Sequence, residues 1–318
     1  MNQFFTFVVQ GLSRGAIYTL IALGFVIIYK ATHVLNFGQA ALMSIGAYVT
    51  YTVNGGLKEQ FPDNFRPWTI ASFPWVVALL VGVLATAGFG FLIERVVLSK
   101  FRNKPVFATI MATFGLAIIV QFLIGSIWGD DSISLNEPIG LRYYKVGGVS
   151  ITLQSIVTFC VAVVVVACFL LFFKRSRMGT AMRATAYDQE AAMAQGISAR
   201  RVYGVSWAIS AGLAALAAVL LSSGNGNSIT QSSLQLATFA AFPAIIIGGV
   251  DSTNGAIVGG MVIGLAEQLM FGYQQKINNA FSTHIFTNFH LVFPYVIMLI
   301  VLLVRPYGIF GTKEVRRV

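Results

Sequence analysis

Residues 150–173 read SITLQSIVTFCVAVVVVACFLLFF, a run of 24 residues that contains no charged side chain. The hydrocarbon core of a bilayer is about 30 Å thick, and a helix needs about 20 mostly apolar residues to cross it. Lipid offers no hydrogen bonds to the backbone, so such a segment satisfies its own polar groups as a helix. The run therefore predicts a transmembrane helix.

Similar apolar runs recur along the chain, at about 4–29, 34–53, 70–93, 106–128, 201–222, 234–250, 255–271 and 289–304. Apolar residues make up 57% of the sequence and charged residues 10%, against about 45–50% and 25% in ordinary globular domains. The runs at 234–250 and 255–271 are short and rich in glycine, so they are two spans, two half-helices or a re-entrant pair. The sequence predicts an all-α polytopic integral membrane protein with eight or nine transmembrane helices, some short or broken, in a single domain over 1–318.

The basic residues predict the orientation of the chain. Of the 21 Lys and Arg residues, fifteen fall in one alternating set of loops and five in the other, and Arg14 lies inside a span. Cytoplasmic loops carry the excess of Lys and Arg, so nine spans place the N-terminus outside and the C-terminus in the cytoplasm. This placement accounts for most of the formal charge of +10, and no nucleic-acid partner is predicted.

The sequence offers little material for catalysis. It contains no GxxxxGK[ST] motif, the loop that cradles ATP phosphates. Its three histidines, two cysteines and eleven acids form no HExxH motif, paired carboxylates or Ser/His/Asp set at membrane depth. We predict no enzyme activity, no metal site and no cofactor in this chain. An active transporter of this kind would take its energy from a partner or an ion gradient.

The longest predicted cytoplasmic loop, about 174–200, directly follows the run at 150–173. Thr185 with Asp188 three residues later is typical of a capping box, and Gly196 is a natural helix terminator. These residues predict a short helix at about 186–195, with alanine and methionine on part of its surface. Such a helix either lies on anionic lipid headgroups or docks a cytoplasmic partner.

Glycines spaced four residues apart occur in three pairs. This spacing lets helix backbones approach closely in lipid, and tight packing within this subunit is its first interpretation. The alternative is that Phe242 to Gly264 forms broken helices beside a substrate pathway, with a tight cytoplasmic turn at 248–255. The pairs are Gly255 with Gly259, Gly260 with Gly264, and Gly11 with Gly15.

Two charged residues, Arg14 and Glu267, fall within predicted spans. A charge at membrane depth is costly and usually faces a partner or a cavity. The two side chains pair with each other, or Arg14 faces a second subunit and Glu267 extends to the interface.

A further polar residue, Asn36, has the position of a helix cap at the inner start of the second span.

Three sequence blocks carry a resemblance to a known family. The loop holds Gly179, Arg183-Ala184, Asp188, Ala191-Ala192 and Gly196-Ile197 in that order. With the two other blocks it resembles the branched-chain amino acid permease family of ABC importers, whose loop at this place couples the permease to ATPases. The second block is Gly15–Gly24 followed by Ile28–Thr32 and Leu35-Asn36-Phe37, and the third is Ala241-Phe242, Ile247–Ser252, Gly255-Ala256 and Gly259-Gly260.

The sequence departs from the family pattern after the Asn-Phe pair. The family commonly shows a small residue, His or Gln, Gly and Glu at this place, whereas this chain has Gly38-Gln39-Ala40-Ala41. If the missing acid shapes the inner mouth of the pathway, gating or substrate preference differs in this chain.

The resemblance implies a permease subunit in the bacterial inner membrane. It would take up branched-chain or other hydrophobic or neutral amino acids by ATP-driven alternating access, receiving them from a periplasmic binding protein. Two ATPase subunits, which hold ATP and Mg, and a second permease or second copy would be its partners, with membrane lipids around them. The implied ATPase-coupling residues are Gly179, Arg183, Asp188, Glu190 and Gly196, and the candidate pathway or gate residues are Asn36, Gln39, Pro243, Gly248 and Gly249.

Other functions remain open at this point. Related permeases carry urea and short amides, which makes a urea or short-amide importer the nearest alternative. An ion-coupled secondary carrier or channel would need buried carboxylates or a polar filter, for which the sequence offers Glu267 and Arg14. A membrane-embedded enzyme ranks lowest.

Overall fold

The computed structural model describes residues 2–55, 74–102, 104–129, 132–135, 143–146, 149–223, 230–280 and 287–311. Within these ranges the chain is helical apart from loops, one 3-10 turn at Leu98–Phe101, an isolated bridge residue at Ile133, and two short antiparallel strands, β1 (Tyr143–Val146) and β2 (Val149–Thr152). The helices are α1 (Asn2–Thr32), α2 (Gln39–Val53), α3 (Trp75–Val96), α4 (Val106–Trp128), α5 (Leu153–Arg175), α6 (Arg177–Tyr187), α7 (Gln189–Ala194), α8 (Ala199–Ser222), α9 (Gln231–Gly248), α10 (Thr253–Ala280) and α11 (Phe289–Val304).

Seven of the described helices are long and apolar enough to cross a membrane: α1, α3, α4, α5, α8, α9 and α10. The other two predicted spans form shorter helices, α2 with 15 residues and α11 with 16. At 1.5 Å per residue these reach about 22–24 Å, less than a full bilayer core. The predicted all-helical membrane class is confirmed, and each predicted apolar run overlaps a helix. The start of the 70–93 run, residues 70–73, lies outside the described residues.

Large apolar side chains cover the outside of α3, α4 and α5, for example Leu84, Phe122 and Val164. In the most apolar windows of these helices only 22–28% of the residues are buried, against 89% in α1. A water-soluble protein does not expose apolar surface on this scale. The exposed faces of these three helices therefore suit a membrane environment.

The contacts within the chain group it into two compact units. One consists of Ile27–Gly140 and Ala167–Leu236, and the other of Met1–Val26, Leu141–Val166 and Ala237–Val318. The single permease domain over 1–318 stays a prediction.

The unit that contains α8 is built on close contacts between small residues. Helices α2 and α3 both pack on α8. A side chain at Gly46 would overlap Ala215, and one at Gly90 would overlap Ala211 and the backbone of Trp207. Several buried hydroxyl groups here donate to backbone carbonyls one turn earlier, as Thr50 does to Gly46 at 2.7 Å, so these donors are satisfied within their own helix.

The unit that contains α10 uses the predicted glycine pairs as its packing surface. A Cβ at Gly264 would overlap the backbone of Gly15, and one at Gly260 would overlap Thr19, so α1 and α10 meet backbone to backbone. On another side of α10, Gly259 lies against the backbone of Ala244 in α9. The interpretation of the glycines as tight packing within this subunit is confirmed.

Candidate functional site

The 174–200 loop forms two helices instead of the one predicted at about 186–195. Helix α6 begins after Ser176, whose hydroxyl accepts a hydrogen bond from the Gly179 N–H at 2.9 Å. Thr185 lies inside this helix, buried, and donates to the Ala181 carbonyl at 2.9 Å. The capping-box prediction for Thr185 was therefore wrong, because a serine nine residues earlier starts the helix.

Asp188 separates the two helices. Its extended backbone (φ −153°, ψ 107°) ends α6, and its carboxylate accepts from the Ala191 N–H at 2.9 Å as the N-cap of α7. At the other end, Gly196 adopts φ +82°, with hydrogen bonds from Gly196 N to Met193 O (2.9 Å) and from Ile197 N to Ala192 O (3.1 Å). This bonding is a Schellman motif, and the prediction that Gly196 terminates the helix is confirmed.

Gly179 and Arg183 lie against the end of α5. A Cβ at Gly179 would overlap the carbonyl of Phe173. The Arg183 guanidinium donates to the carbonyls of Phe173 and Lys174 and to the Thr180 hydroxyl, and its centre lies 5.6 Å from the centroid of the Phe173 ring. These two predicted coupling residues therefore hold α6 onto the end of the α5 span.

Among the predicted coupling residues of the loop, Asp188 and Glu190 are exposed, whereas Gly179 and Arg183 are not. We use the term 187–193 surface for Tyr187, Asp188, Glu190 and Met193, all of which are exposed. The Tyr187 side chain is the most open, at 93% exposure. Tyr187 and Met193 were not predicted; an aromatic residue at a helix end and a methionine among alanines were the available signals. In the same segment Ala192 is buried, and Gln189, which is exposed, accepts through Oε1 from the Tyr203 hydroxyl of α8 at 2.7 Å.

The first pair of candidate pathway residues forms a buried polar cluster at the start of α2. Asn36 Nδ2 donates to Gln39 Oε1 at 3.1 Å, and Asn36 Oδ1 accepts from the Gly38 N–H at 2.9 Å. Ser210 of α8 also donates to Gln39 Oε1, at 3.2 Å. Among the residues that the structure describes, Gln39 Nε2 is buried with no hydrogen-bond partner. Ser210 is 171 positions away, and no local signal pointed to it.

The other candidate pathway residues lie in the second unit, on α9 and the turn after it. Helix α9 runs without interruption through Pro243 to Gly248, and α10 begins at Thr253. The idea of broken helices between Phe242 and Gly264 was therefore wrong, since the chain breaks only at the 249–252 turn. Gly249 has φ +99° there, a conformation that favours glycine. The residues before the C-terminal tail also reach this turn, with Ile309 N donating to Ile247 O at 2.7 Å.

The two intramembrane charges pair with each other. Arg14 Nη2 lies 3.4 Å from Glu267 Oε1, and the Tyr18 hydroxyl donates to Glu267 Oε2 at 2.5 Å. Arg14 Nε also donates to the Tyr18 hydroxyl at 3.3 Å. Glu267 is 3% exposed, so it does not extend to the interface. The pairing alternative is confirmed, and Tyr18 is a member of the cluster that the sequence did not single out.

No group of three or more His, Cys, Asp or Glu side chains suited to a metal ion occurs in the ranges the structure describes. Of the charged groups in the described spans, Arg14 and Glu267 are paired with each other.

Comparison with known proteins yields consistent matches over the full length. The family model "Branched-chain amino acid transport system / permease component" matches residues 7–302. The high-affinity branched-chain amino acid transport system permease protein LivH of Escherichia coli K12 is 29% identical over 324 residues, covering 100% of this chain and 99% of that protein. The corresponding protein BraD of Pseudomonas aeruginosa is 30% identical over 317 residues, with 98% and 96% covered.

A third relative has a similar identity to this chain. The probable branched-chain amino acid transport permease protein LivH of Methanocaldococcus jannaschii is 29% identical over 310 residues, which cover 94% of this chain and 90% of that protein.

Proposed function

The chain belongs to the family of branched-chain amino acid transport system permease components, and from this membership we propose that it is the permease subunit of an ABC importer. It takes up branched-chain or other hydrophobic or neutral amino acids by alternating access driven by ATP. A periplasmic binding protein delivers the substrate, and two separate ATPase subunits bind ATP and Mg. A second permease, either homologous or another copy of this chain, completes the membrane part.

The observation that carries the proposal is the 187–193 surface on a firmly anchored loop. The surface combines an exposed aromatic ring and a methionine, residue types that are enriched at protein interfaces, with two carboxylates that suit a basic partner surface. Arg183 bonds the loop to the end of α5, and Gln189 bonds it to Tyr203 of α8. A push on this surface is therefore passed to two membrane spans, which is the mechanical requirement for coupling to an ATPase.

The division of labour within the loop follows from these contacts. Glu190 is exposed and faces the partner, and Asp188 beside it caps α7. Gly179 and Arg183 hold the loop on α5, and Gly196 ends α7. Because the sequence has no ATP-binding loop of its own, the energy of uptake comes from the partner that docks here.

The candidate pathway or gate residues stay those of the sequence: Asn36 and Gln39 in one unit, and Pro243, Gly248 and Gly249 in the other. The unpartnered Nε2 of Gln39 is a donor that a passing polar group can use. The urea or short-amide importer differs from this proposal only in the substrate. An ion-coupled carrier is less well supported, because Glu267 already has two partners.

The proposed setting is the bacterial inner membrane, with the 174–200 loop and the C-terminus in the cytoplasm. The excess of basic residues in that set of loops supports this orientation.

The test is uptake of labelled leucine into proteoliposomes containing the chain, the subunits that copurify with it and their binding protein. We expect uptake that requires ATP, and Glu190→Ala should reduce it at least tenfold without changing membrane insertion. Ser198→Ala is the matched control, because Ser198 is exposed beside the loop and makes no side-chain cap. Uptake by the chain alone without ATP would instead support an ion-coupled carrier.

Arg183 needs a separate variant because its guanidinium bonds the loop to α5. Arg183→Ala should abolish uptake while the protein still inserts, and it should also raise the protease sensitivity of the 174–200 loop. Normal uptake by Arg183→Ala would rule out this coupling route.

A further inference from the structure

The unit formed by Ile27–Gly140 and Ala167–Leu236 contains a cavity of about 140 Å³. Its wall includes Glu94 at the end of α3, Arg102 in the following loop and Tyr203 of α8, together with the apolar side chains of Ile28, Leu98 and Trp207. The α3–α4 loop and the start of α8 both belong to the loop set with the excess of basic residues. The cavity therefore lies at the end of the unit predicted to face the cytoplasm.

Glu94 is the unusual group in this wall. The residue is 2% exposed, and one carboxylate oxygen, Oε1, pairs with Arg102 Nη2. In the described part of the chain the other oxygen, Oε2, is buried with no hydrogen-bond partner. A buried carboxylate oxygen without a donor is costly. Because the terminal torsion of a glutamate is broad, either oxygen can turn to meet a donor that enters the cavity.

The cationic side of the cavity is provided by Arg102 and Lys104. The Arg102 guanidinium is held between Glu94 and the Tyr203 ring, 4.9 Å from the ring centroid. Its side chain is 27% exposed, and a guanidinium has five N–H donors, so several are left for a ligand. Lys104 is exposed and also lines the cavity. A carboxylate fits beside this pair of cations.

Three threonine hydroxyl groups of the wall already donate to the backbone. The hydroxyl groups of Thr32, Thr109 and Thr113 donate to backbone carbonyls at 2.8, 3.4 and 2.8 Å respectively. Other parts of the wall are largely apolar, with Ile28, Leu98 and Trp207 among them. The charged groups that a ligand can meet are thus the Glu94 carboxylate, once its second oxygen turns toward the cavity, and the nearby cations, beside a hydrophobic surface.

A molecule that carries an ammonium group, a carboxylate and an apolar chain on one carbon matches all three features. We propose that this cavity is a binding site for a free α-amino acid with an apolar side chain, taken from the side of the coupling loop. The ammonium group meets Glu94 Oε2, the carboxylate meets Arg102 and Lys104, and the side chain packs near Trp207. Only the naming of leucine and the side of access rest on the proposed function.

The bound amino acid would also touch the anchor of the 187–193 surface. Tyr203 lines the cavity and donates to Gln189 of α7. Asn36, one of the candidate pathway residues, lines the same cavity. The site therefore stands between the polar cluster of α2 and the loop that docks the partner.

The test is equilibrium binding of radiolabelled leucine to the complex of the chain with its copurifying subunits in lipid nanodiscs, without ATP or binding protein. We expect saturable binding. Isopentylamine, which lacks the carboxylate, and 4-methylpentanoate, which lacks the ammonium group, should each compete at least tenfold more weakly. Absence of saturable leucine binding, or equal competition by either analogue, overturns the proposal.

Variants locate the bound leucine in this cavity. Glu94→Gln should weaken leucine binding at least tenfold, which corresponds to about 1.4 kcal/mol. Arg95→Gln is the control, because Arg95 is the exposed neighbour on α3 and does not line the cavity. Unchanged affinity in Glu94→Gln contradicts the assignment.

A second variant leaves the ion pair intact in case Glu94→Gln fails to assemble. Val106 lines the cavity and is 54% exposed, so Val106→Trp should fill the mouth and abolish binding with the fold preserved. Wild-type binding in this variant would overturn the proposal. The outcome is separable from that of the proposed function. ATP-driven uptake without leucine binding in this cavity would overturn only the proposed binding site. Leucine binding without ATP-driven uptake would overturn only the proposed importer function.

Discussion

Glu267 illustrates at the residue scale how a carboxylate is kept inside a membrane span. One of its carboxylate oxygens pairs with Arg14, and the other accepts a hydrogen bond from the Tyr18 hydroxyl. Both partners belong to α1. A buried pair of this kind is costly to assemble, but removing one partner costs more, because it leaves an uncompensated charge. The cluster therefore ties α1 to α10 without implying a role in transport.

The first prediction concerns this cluster. Glu267→Gln removes the counter-charge of Arg14 at almost constant volume and should lower the free energy of unfolding by about 3 kcal/mol. This is the lower end of the usual range, because the Arg14 side chain is 36% exposed. The melting temperature of the purified protein in detergent measures the effect. The double variant Arg14→Met/Glu267→Met should recover most of the loss, and a single variant as stable as the wild type would contradict the prediction.

Asp188 supports a second prediction at the residue scale. Its carboxylate caps α7 through the Ala191 N–H, and asparagine caps a helix about as well as aspartate. Asp188→Ala should therefore cost about 1 kcal/mol of helix stability and reduce ATP-driven uptake several-fold, whereas Asp188→Asn should stay near the wild type. Uptake assays on both variants decide this. Equal impairment in both would mean that the charge of Asp188, and not its capping bond, is what the partner needs.

At the scale of elements, α1 and α10 pack closely because glycines at their contact have no side chains. Gly15, Gly260 and Gly264 let the two backbones touch, and in lipid such contacts replace the hydrophobic drive between helices. The crossing tolerates no additional methyl group, because the atoms that would meet it belong to backbone.

The third prediction tests this crossing. Gly264→Ala should destabilise the protein by about 1–3 kcal/mol, the usual cost of overpacking, measured again by thermal unfolding. Gly88→Ala on α3 is the matched control, because nothing lies within 4 Å of the added Cβ and alanine is the better helix former. The control should melt at or slightly above the wild-type temperature. A Gly264→Ala protein that melts like the control would mean that the helices separate easily.

On the scale of the whole molecule, the helices differ in how much of their apolar surface is buried. Helices α1 and α8 are mostly buried, whereas α3, α4 and α5 expose most of their apolar side chains. Only a surrounding bilayer satisfies that exposed surface, and the basic loops then determine which end faces the cytoplasm.

The fourth prediction tests the orientation. The test uses a background in which Cys160 and Cys168 are replaced by alanine. Ser198→Cys lies in the loop predicted to be cytoplasmic. Lys276→Cys lies near the end of α10 that is predicted to be external. Both positions are exposed. A membrane-impermeant maleimide should label Lys276→Cys in intact spheroplasts and Ser198→Cys only after lysis. The reverse pattern would invert the topology and move the 187–193 surface away from any cytoplasmic ATPase.

The sequence by itself determined the features that depend on local composition. An uncharged run such as 150–173 crosses a bilayer whatever its neighbours are, and Gly196 ends a helix because its own backbone reaches positive φ. Local signals failed where two of them competed, since Ser176 started the helix that Thr185 was expected to begin. The three blocks of family resemblance also lie within short stretches of sequence.

Only the tertiary structure decided which distant groups meet. Gln39 accepts a hydrogen bond from Ser210, and Arg14 pairs with Glu267. Arg102 pairs with Glu94 and also lies over the ring of Tyr203 in α8. Arg183, predicted as an ATPase-coupling residue, bonds the end of α5. Hydropathy along the chain sets the depth of a residue in the membrane, but its partners depend on how helices rotate and pack, which is set by close contacts between residues far apart in sequence.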